Sequence, residues 1–199
     1  MTTQGFSRRN LLKSLSVSAA VGSVLLAIPL EAAEHVHHMI ESEKASGPYT
    51  PKYFTDAQYK MLTALCGTIL PTDADSGGAI EAGAPEFIDL LTSENAEYQR
   101  KLGGGLLWLD EQCLSRYGSG YLECRPEEQK EMLDRIAYRK NMERDASLAY
   151  GVDFFTLLRN LTSDGFFTSK IGIEYLSYVG NTFLLEFQGC PPVPGLESL

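Results

Sequence analysis

The sequence has little positive charge. Lysine and arginine together number 17 in 199 residues, against 26 aspartates and glutamates, and the net charge is −9. Nucleic-acid binders need a basic surface to neutralise phosphates, so this balance argues against a nucleic-acid partner and against electrostatic docking on anionic lipid. Hydrophobic residues make up 44% of the chain and charged residues 22%, values that are typical of globular proteins. We therefore expect one globular domain with an appendage.

The sequence also lacks the motifs of the common catalytic and cofactor sites. Its four cysteines form no C-x-x-C or C-x-x-C-H pattern, so nothing supports a c-type haem, zinc or iron–sulfur site in this chain. There is no G-x-G-x-x-G run, no Walker loop and no G-x-S-x-G nucleophile motif. We predict that this chain carries no catalytic, cofactor-binding or metal-binding residues.

Only three histidines occur, and they lie close together at His35, His37 and His38. One interpretation is a metal site, because His35 and His38 are one helical turn apart with Glu34 or Glu41 nearby. The other is a polar arm that follows an export signal, and we favour this second interpretation. A histidine acting as a general acid or base would have to lie in that arm.

The N-terminus has the pattern of an export signal. Residues 1–13 carry three basic residues and no acid, and the 17 residues 14–30 carry no charge. This apolar stretch is shorter than the roughly 20 residues of a spanning helix, and a basic head before a short apolar run is typical of a signal peptide. The head matches the twin-arginine pattern, an address for a translocon that carries folded proteins. The residues of this pattern are Ser7, Arg8, Arg9, Leu11, Leu12 and Lys13.

The cleavage site is the weakest part of this pattern. Ala32 and Ala33 supply small residues, but Glu31 stands where a cleavage site has another small residue. We expect cleavage after Ala33, which defines a signal peptide over residues 1–33. Retention of the signal as an N-terminal anchor is the alternative.

The remaining chain predicts an all-α fold, a single compact domain of about six helices over residues 54–199. Residues 34–53 form a polar arm, either a short helix or a loose segment, ahead of this domain. No region shows sustained alternation of polar and apolar residues, so we expect very little strand. The predicted helices cover about 55–70, 85–91, 95–117, a segment from 126, 145–163 and 168–173, followed by an irregular tail after 180.

Local signals mark several of the helix limits. Thr55 and Gln58 form a capping box, and Pro126 begins a helix with acids in its first turn. The glycine triplet at 103–105 predicts close packing against a neighbouring element. Asp164 and Gly165 predict a break between the last two helices.

The four cysteines are expected to pair if the protein reaches an oxidising compartment. Cys113 and Cys124 flank a short glycine-containing turn, which favours a Cys113–Cys124 disulfide. Cys66–Cys190 then follows by elimination. Free buried thiols are the alternative.

An ordered set of short segments follows the twin-arginine pattern. The segments are LTALCGTILPTD at 62–73, AGAPEFID at 82–89, PEEQ at 126–129, GFFTSKIG at 165–172 and Gly189-Cys190. In this order, over about residues 54–190, the chain resembles the gluconate 2-dehydrogenase subunit 3 family.

The resemblance implies a non-catalytic small subunit of a periplasmic, membrane-associated complex. Its partner would be a large FAD-dependent dehydrogenase of the glucose–methanol–choline type, which oxidises a sugar, sugar acid or glycoside. The FAD would belong to that partner, and the resemblance allows a cytochrome c subunit with haem c, or an iron–sulfur cluster, elsewhere in the complex. The small subunit would escort its folded partner through the twin-arginine translocon and stabilise it.

The surface that contacts the partner is predicted from aromatic residues near helix ends, which make good interface anchors. We select Phe166 and Phe167 first and Trp108 next, although each of these rings could instead fill the core. Two other functions remain open. One is a free-standing exported helical binding module, and the other is a small hydrolase or oxidoreductase that uses the acidic loop at 71–84.

Overall fold

The computed structural model describes residues 28–178 and residue 180. Within these residues the regular structure is entirely helical, which confirms the predicted all-α class. Seven α-helices follow one another: α1 Leu30–Lys44, α2 Asp56–Ile69, α3 Ala84–Ser93, α4 Gly104–Tyr117, α5 Pro126–Ile136, α6 Ala149–Phe167 and α7 Lys170–Tyr175. A single α-turn Ala96–Tyr98 and a π-helix Gln99–Gly103 precede α4, and short 3₁₀ turns lie at Tyr121–Glu123, Arg139–Asn141 and Ala146–Leu148.

Helix α2 begins as its sequence predicts. The Thr55 hydroxyl accepts a hydrogen bond from the Gln58 backbone N–H at 3.3 Å, and the Gln58 side chain accepts one from the Thr55 N–H at 3.1 Å. This reciprocal capping box satisfies two donors that the first turn would leave unpaired. It fixes the start of a helix whose inner face is fully buried, at Met61, Leu62, Leu65 and Cys66.

The centre of the fold is the contact between α3 and α6. Gly165 lies against α3, where an added Cβ would come within about 3.2 Å of Ala84 and Phe87. The predicted break at Asp164 and Gly165 is therefore wrong: α6 continues to Phe167. The glycine allows the two helices to approach closely, and that packing outweighs its poor helix propensity.

The glycine triplet also makes close contacts, as predicted. A Cβ at Gly105 would overlap the ring of Phe154, and one at Gly104 would overlap the Tyr150 hydroxyl. The Tyr150 hydroxyl donates a hydrogen bond to the Arg100 carbonyl at 3.3 Å, within the π-helix. The predicted single helix over 95–117 is thus an α-turn, a π-helix and α4 in succession.

Helix α1 packs on α3 through one stripe of side chains. Ala32, Ala33, Val36 and Ile40 are buried at helical spacing. The His37 ring stacks on Phe87, with ring centroids 5.0 Å apart. Part of the polar arm is therefore a helix that contributes to the core.

The segment that joins α1 to α2 is held by one buried carboxylate. Asp89 has no exposed surface, and its two oxygens accept four hydrogen bonds from residues 49–54. The donors are the Tyr49 hydroxyl at 2.8 Å and the backbone N–H groups of Lys52 at 2.6 Å, Tyr53 at 3.1 Å and Phe54 at 3.1 Å. Burial of the Tyr49 hydroxyl and its hydrogen bond to Asp89 both raise the pKa of Tyr49.

Among the helices that the structure describes, none is both long enough and apolar enough to cross a membrane.

Candidate partner-docking groove

An apolar groove lies between the N-terminal half of α2, helix α4 and the 3₁₀ turn at Tyr121–Glu123. Its volume is about 550 Å³. Three of the leucines that line it have much of their surface in solvent: Leu107 is 63% exposed, Leu114 59% and Leu122 43%. Buried Met61 and Leu106 also line it. Such a concave apolar surface is typical of a place where a partner packs.

The polar groups at this groove are acidic or already paired. Asp110 and Glu123 also line it, and the Asp110 carboxylate accepts a hydrogen bond from the Tyr121 N–H at 2.8 Å. Thr55 and Gln58, at the other end, bond to each other. Of the described side chains that line the groove, none is basic. The groove therefore suits an apolar partner segment that carries a positive charge at its edge.

The aromatic residues that the sequence selected do not form this groove. Phe166 is only 4% exposed, and its ring packs against Phe167 and Tyr175. Phe167 is 38% exposed at the end of α6. Trp108 is half-buried and packs edge-on against Tyr150, with ring centroids 6.3 Å apart. Phe166, Phe167 and Trp108 all stay predictions as partner contacts.

Sequence reasoning missed Leu107 and Leu114, although a signal for them exists. The buried side of α4 carries Leu106, Leu109 and Cys113. Leu107 and Leu114 are seven residues apart, and so share a second face of the same helix. Leucines out of phase with the buried stripe indicate a helix with two apolar faces, of which only one is needed for the core.

The three histidines of the cluster face different surroundings. His37 faces the core, where its Nε2 lies 3.0 Å from the Thr168 hydroxyl oxygen, and burial lowers the pKa of this imidazole. His35 and His38 line a shallow hollow with Glu31 and Glu34. In the part of the chain that the structure describes, no three His, Cys, Asp or Glu side chains are placed to hold a metal ion.

Three of the four cysteines lie in the described residues, and all three are free buried thiols. Cys113 and Cys124 are in hydrogen-bond contact with each other, and burial is the main cause that raises the pKa of Cys113 to about 12. The Cys66 thiol lies 3.5 Å from the Thr162 hydroxyl, and burial raises its pKa to about 12. The two thiols are adjacent, and the Cys113–Cys124 disulfide stays a prediction. Cys190 lies outside the described residues.

A second concavity of about 560 Å³, between α5 and residues 139–148, is lined mainly by charged side chains. Several of them pair with one another, as in Lys130 with Asp134 at 2.6 Å and Arg135 with Asp145 at 3.3 Å. Exposed pairs of this kind are ordinary features of a helical surface. The residues of the twin-arginine pattern, Ser7 to Lys13, lie outside the described part of the chain.

The described residues form an all-α domain with an exposed apolar groove. The family model described as gluconate 2-dehydrogenase subunit 3 matches residues 56–184, and the chain belongs to this family. The match confirms the resemblance found in the sequence and identifies a small subunit of a multi-subunit dehydrogenase complex. Comparisons with the curated proteins and with the solved structures returned no significant match.

Proposed function

We propose that this chain is the non-catalytic small subunit of a periplasmic, FAD-dependent dehydrogenase that oxidises a sugar, sugar acid or glycoside. The FAD and the reacting residues belong to the large subunit, which is of the glucose–methanol–choline type. The observation that carries this proposal is the apolar groove at Leu107, Leu114 and Leu122, in a chain whose family is named for a dehydrogenase subunit.

The large subunit docks on this groove through an apolar segment. The three exposed leucines supply the apolar contact area, and Asp110 and Glu123 supply charges for a lysine or arginine of the large subunit. The net charge of −9 on this chain favours the same kind of partner surface. Burying the leucines in the complex removes them from water and stabilises both subunits.

Co-purification tests this proposal directly. The chain is tagged at its C-terminus, isolated from its own host and scanned for absorbance. We expect an equimolar flavoprotein with flavin bands that the isolated small subunit lacks. A colourless chain isolated alone, while the neighbouring genes are expressed, would contradict the proposal and favour a free-standing module.

The export route has its own test. We propose that the twin-arginine pattern carries both subunits across the membrane after FAD is loaded, because folded cargo needs this translocon. Replacing Arg8→Lys together with Arg9→Lys keeps the charge of the signal but removes the pair. We expect both subunits and the dehydrogenase activity to remain in the cytoplasm. Unchanged periplasmic activity in this variant would rule out the escort role.

A further inference from the structure

Two exposed tyrosines lie over the π-helix that precedes α4. The Tyr53 hydroxyl donates a hydrogen bond to the Gln99 carbonyl at 3.1 Å. The Tyr150 hydroxyl donates one to the next carbonyl, that of Arg100, at 3.3 Å. Both side chains remain exposed to solvent. Because each hydroxyl is hydrogen-bonded to the backbone, each ring is already ordered before a partner arrives, and ordering it on binding costs little entropy.

Two successive glycines make room for these tyrosines. A Cβ at Gly103 would come too close to the Tyr53 hydroxyl, and one at Gly104 would overlap the Tyr150 hydroxyl. The sequence therefore provides for both rings at the same point of the chain, where the π-helix passes into α4. π-Helices are rare and are often found at functional sites. Ordered, exposed tyrosines are among the side chains that contribute most to protein interfaces.

The tyrosines are continuous with the docking groove along α4. Leu107 follows the two glycines by one helical turn and so lies on the same face of the helix, and Leu114 lies two turns further on. Thr55, two residues after Tyr53, also lines the groove. We call the exposed surface formed by Tyr53, Tyr150, Leu107 and Leu114 the α4 strip. Between residues 104 and 114 it follows about 15 Å of helix.

A positive charge lies beside the tyrosines, whereas the leucines have negative charges beside them. Arg100 is exposed, and its guanidinium forms no ion pair with any residue that the structure describes. The neighbouring Lys101 pairs instead with Glu97 at 2.7 Å. Asp110 and Glu123 line the groove with the leucines. A surface with opposite charges at two places favours a partner with the complementary arrangement, and it fixes the direction in which that partner binds.

We propose that the contact with the large subunit extends from the groove along the α4 strip to Arg100, where the large subunit places an acidic side chain. This inference rests on the proposed function, which supplies the partner. The large subunit then presents an apolar segment with a basic residue at the groove and an acidic residue at Arg100. The reverse direction brings like charges together. A second copy of this chain is a poorer occupant, because two chains of net charge −9 repel each other.

Titration of the separated subunits tests the role of Arg100. Arg100→Glu reverses an exposed charge, so the isolated subunit should keep its stability. We expect its affinity for the flavoprotein to fall by about 5- to 10-fold, and the difference to shrink at high salt, which screens exposed charges. Arg159→Glu is the matched control, because it makes the same change in net charge at an exposed position of α6 outside the groove. Equal losses in both variants would overturn the proposal.

The same titration tests the aromatic part of the strip. Tyr53→Ala removes an exposed ring and keeps the backbone N–H that bonds to Asp89. We expect its affinity for the flavoprotein to fall about 10-fold. Tyr53→Phe keeps the ring and should stay within about 3-fold of the native affinity. Urea denaturation of each isolated variant checks that the fold is kept. Native affinity in a folded Tyr53→Ala variant would remove the ring from the contact and overturn the extension of the interface to this end of α4.

These results separate the inference from the proposed function. If no flavoprotein binds the native subunit, the proposed function is wrong and the inference is wrong with it. If the flavoprotein binds and only Leu107→Asp weakens it, with Arg100→Glu and Tyr53→Ala at native affinity, the groove is the contact and its extension along α4 is overturned. Light scattering of the isolated subunit tests the other occupant. A native dimer that Arg100→Glu converts to a monomer would assign the strip to a second copy of this chain and overturn the proposal.

Discussion

Two apolar surfaces of this domain differ in what covers them. The outer side of α3 is covered by the chain itself, through α1 and residues 49–54. The groove between α2 and α4 is left open, with Leu107 and Leu114 largely in solvent. Both surfaces have the leucine-rich or aromatic character of a protein interior, so hydrophobicity alone does not distinguish them.

The difference lies in the polar groups that accompany each surface. The covered side contains Asp89 with four donors and His37 with an aromatic and a hydroxyl partner. The groove has two acids, of which Asp110 is half-buried and Glu123 is exposed to water. Buried and fully paired polar groups mark a permanent contact, because separating it would expose an unpaired charge. A groove lined by exposed leucines and by an acid in contact with water has the mixed composition of a separable protein interface.

The largest expected effect comes from the covered side. Asp89→Ala removes the acceptor of four hydrogen bonds and leaves the N–H groups of residues 52–54 without this partner, with that of Phe54 buried. We expect the free energy of unfolding to fall by about 3–5 kcal/mol, measured by urea denaturation. Asp89→Asn keeps an acceptor oxygen and should lose less. Asp153→Ala, at an exposed position, should stay within about 0.5 kcal/mol of the native protein. A loss below about 1 kcal/mol for Asp89→Ala would mean that the carboxylate is not what holds this segment.

The groove should show the opposite response. Leu107→Asp and Leu114→Asp place a charge on exposed positions, so the stability of the isolated subunit should change little. Each should weaken binding of the flavoprotein by about 10- to 100-fold, because a central interface contact would be replaced by a desolvated charge. Affinity is measured by titrating the separated subunits. Leu176→Asp is the matched control, since Leu176 is 54% exposed and does not line the groove. Equal losses in all three variants would remove the groove from the interface.

The smallest effect concerns pH and again belongs to the covered side. Burial lowers the pKa of His37 below its ordinary value of 6.5, so the unfolded chain takes up this proton more readily than the folded one. The contribution of His37 to stability is therefore complete above pH 6.5 and is lost as pH falls through the lowered pKa. His37→Gln should flatten the fall in stability between pH 7 and pH 5 by a few tenths of a kcal/mol, since the ring is partly exposed and screened. His38→Gln, at an exposed position, should keep the native dependence of stability on pH. If both variants flatten this dependence, His37 is not its cause.

Helix limits set by short-range signals could be predicted from the sequence. The capping box at Thr55 and Gln58 and the proline at 126 act within one turn of the residues concerned, and both lie where expected. The close packing at the glycine triplet could also be predicted, because three glycines in a helix serve little purpose other than to admit a neighbour.

Features that depend on distant residues could not be predicted in the same way. Gly165 reads locally as a helix break, and only the approach of Ala84 and Phe87 explains why α6 continues through it. Helix α1 buries a stripe made largely of alanines among histidines and glutamates, so its pattern resembles a polar arm. The burial of Phe166 and the exposure of Leu107 belong to the same class of feature, because the local sequence does not show whether a ring near a helix end or a leucine within a helix faces solvent.

The hydrogen bonds to Asp89 bear on where the autonomous folding unit begins. The family model starts at residue 56, yet all four donors to this buried carboxylate lie at residues 49–54. A fragment cut at the family boundary would keep the acceptor and discard every donor. The folding unit of this chain is therefore longer than the stretch by which its family is recognised, and a truncation meant to fold should begin upstream of α1.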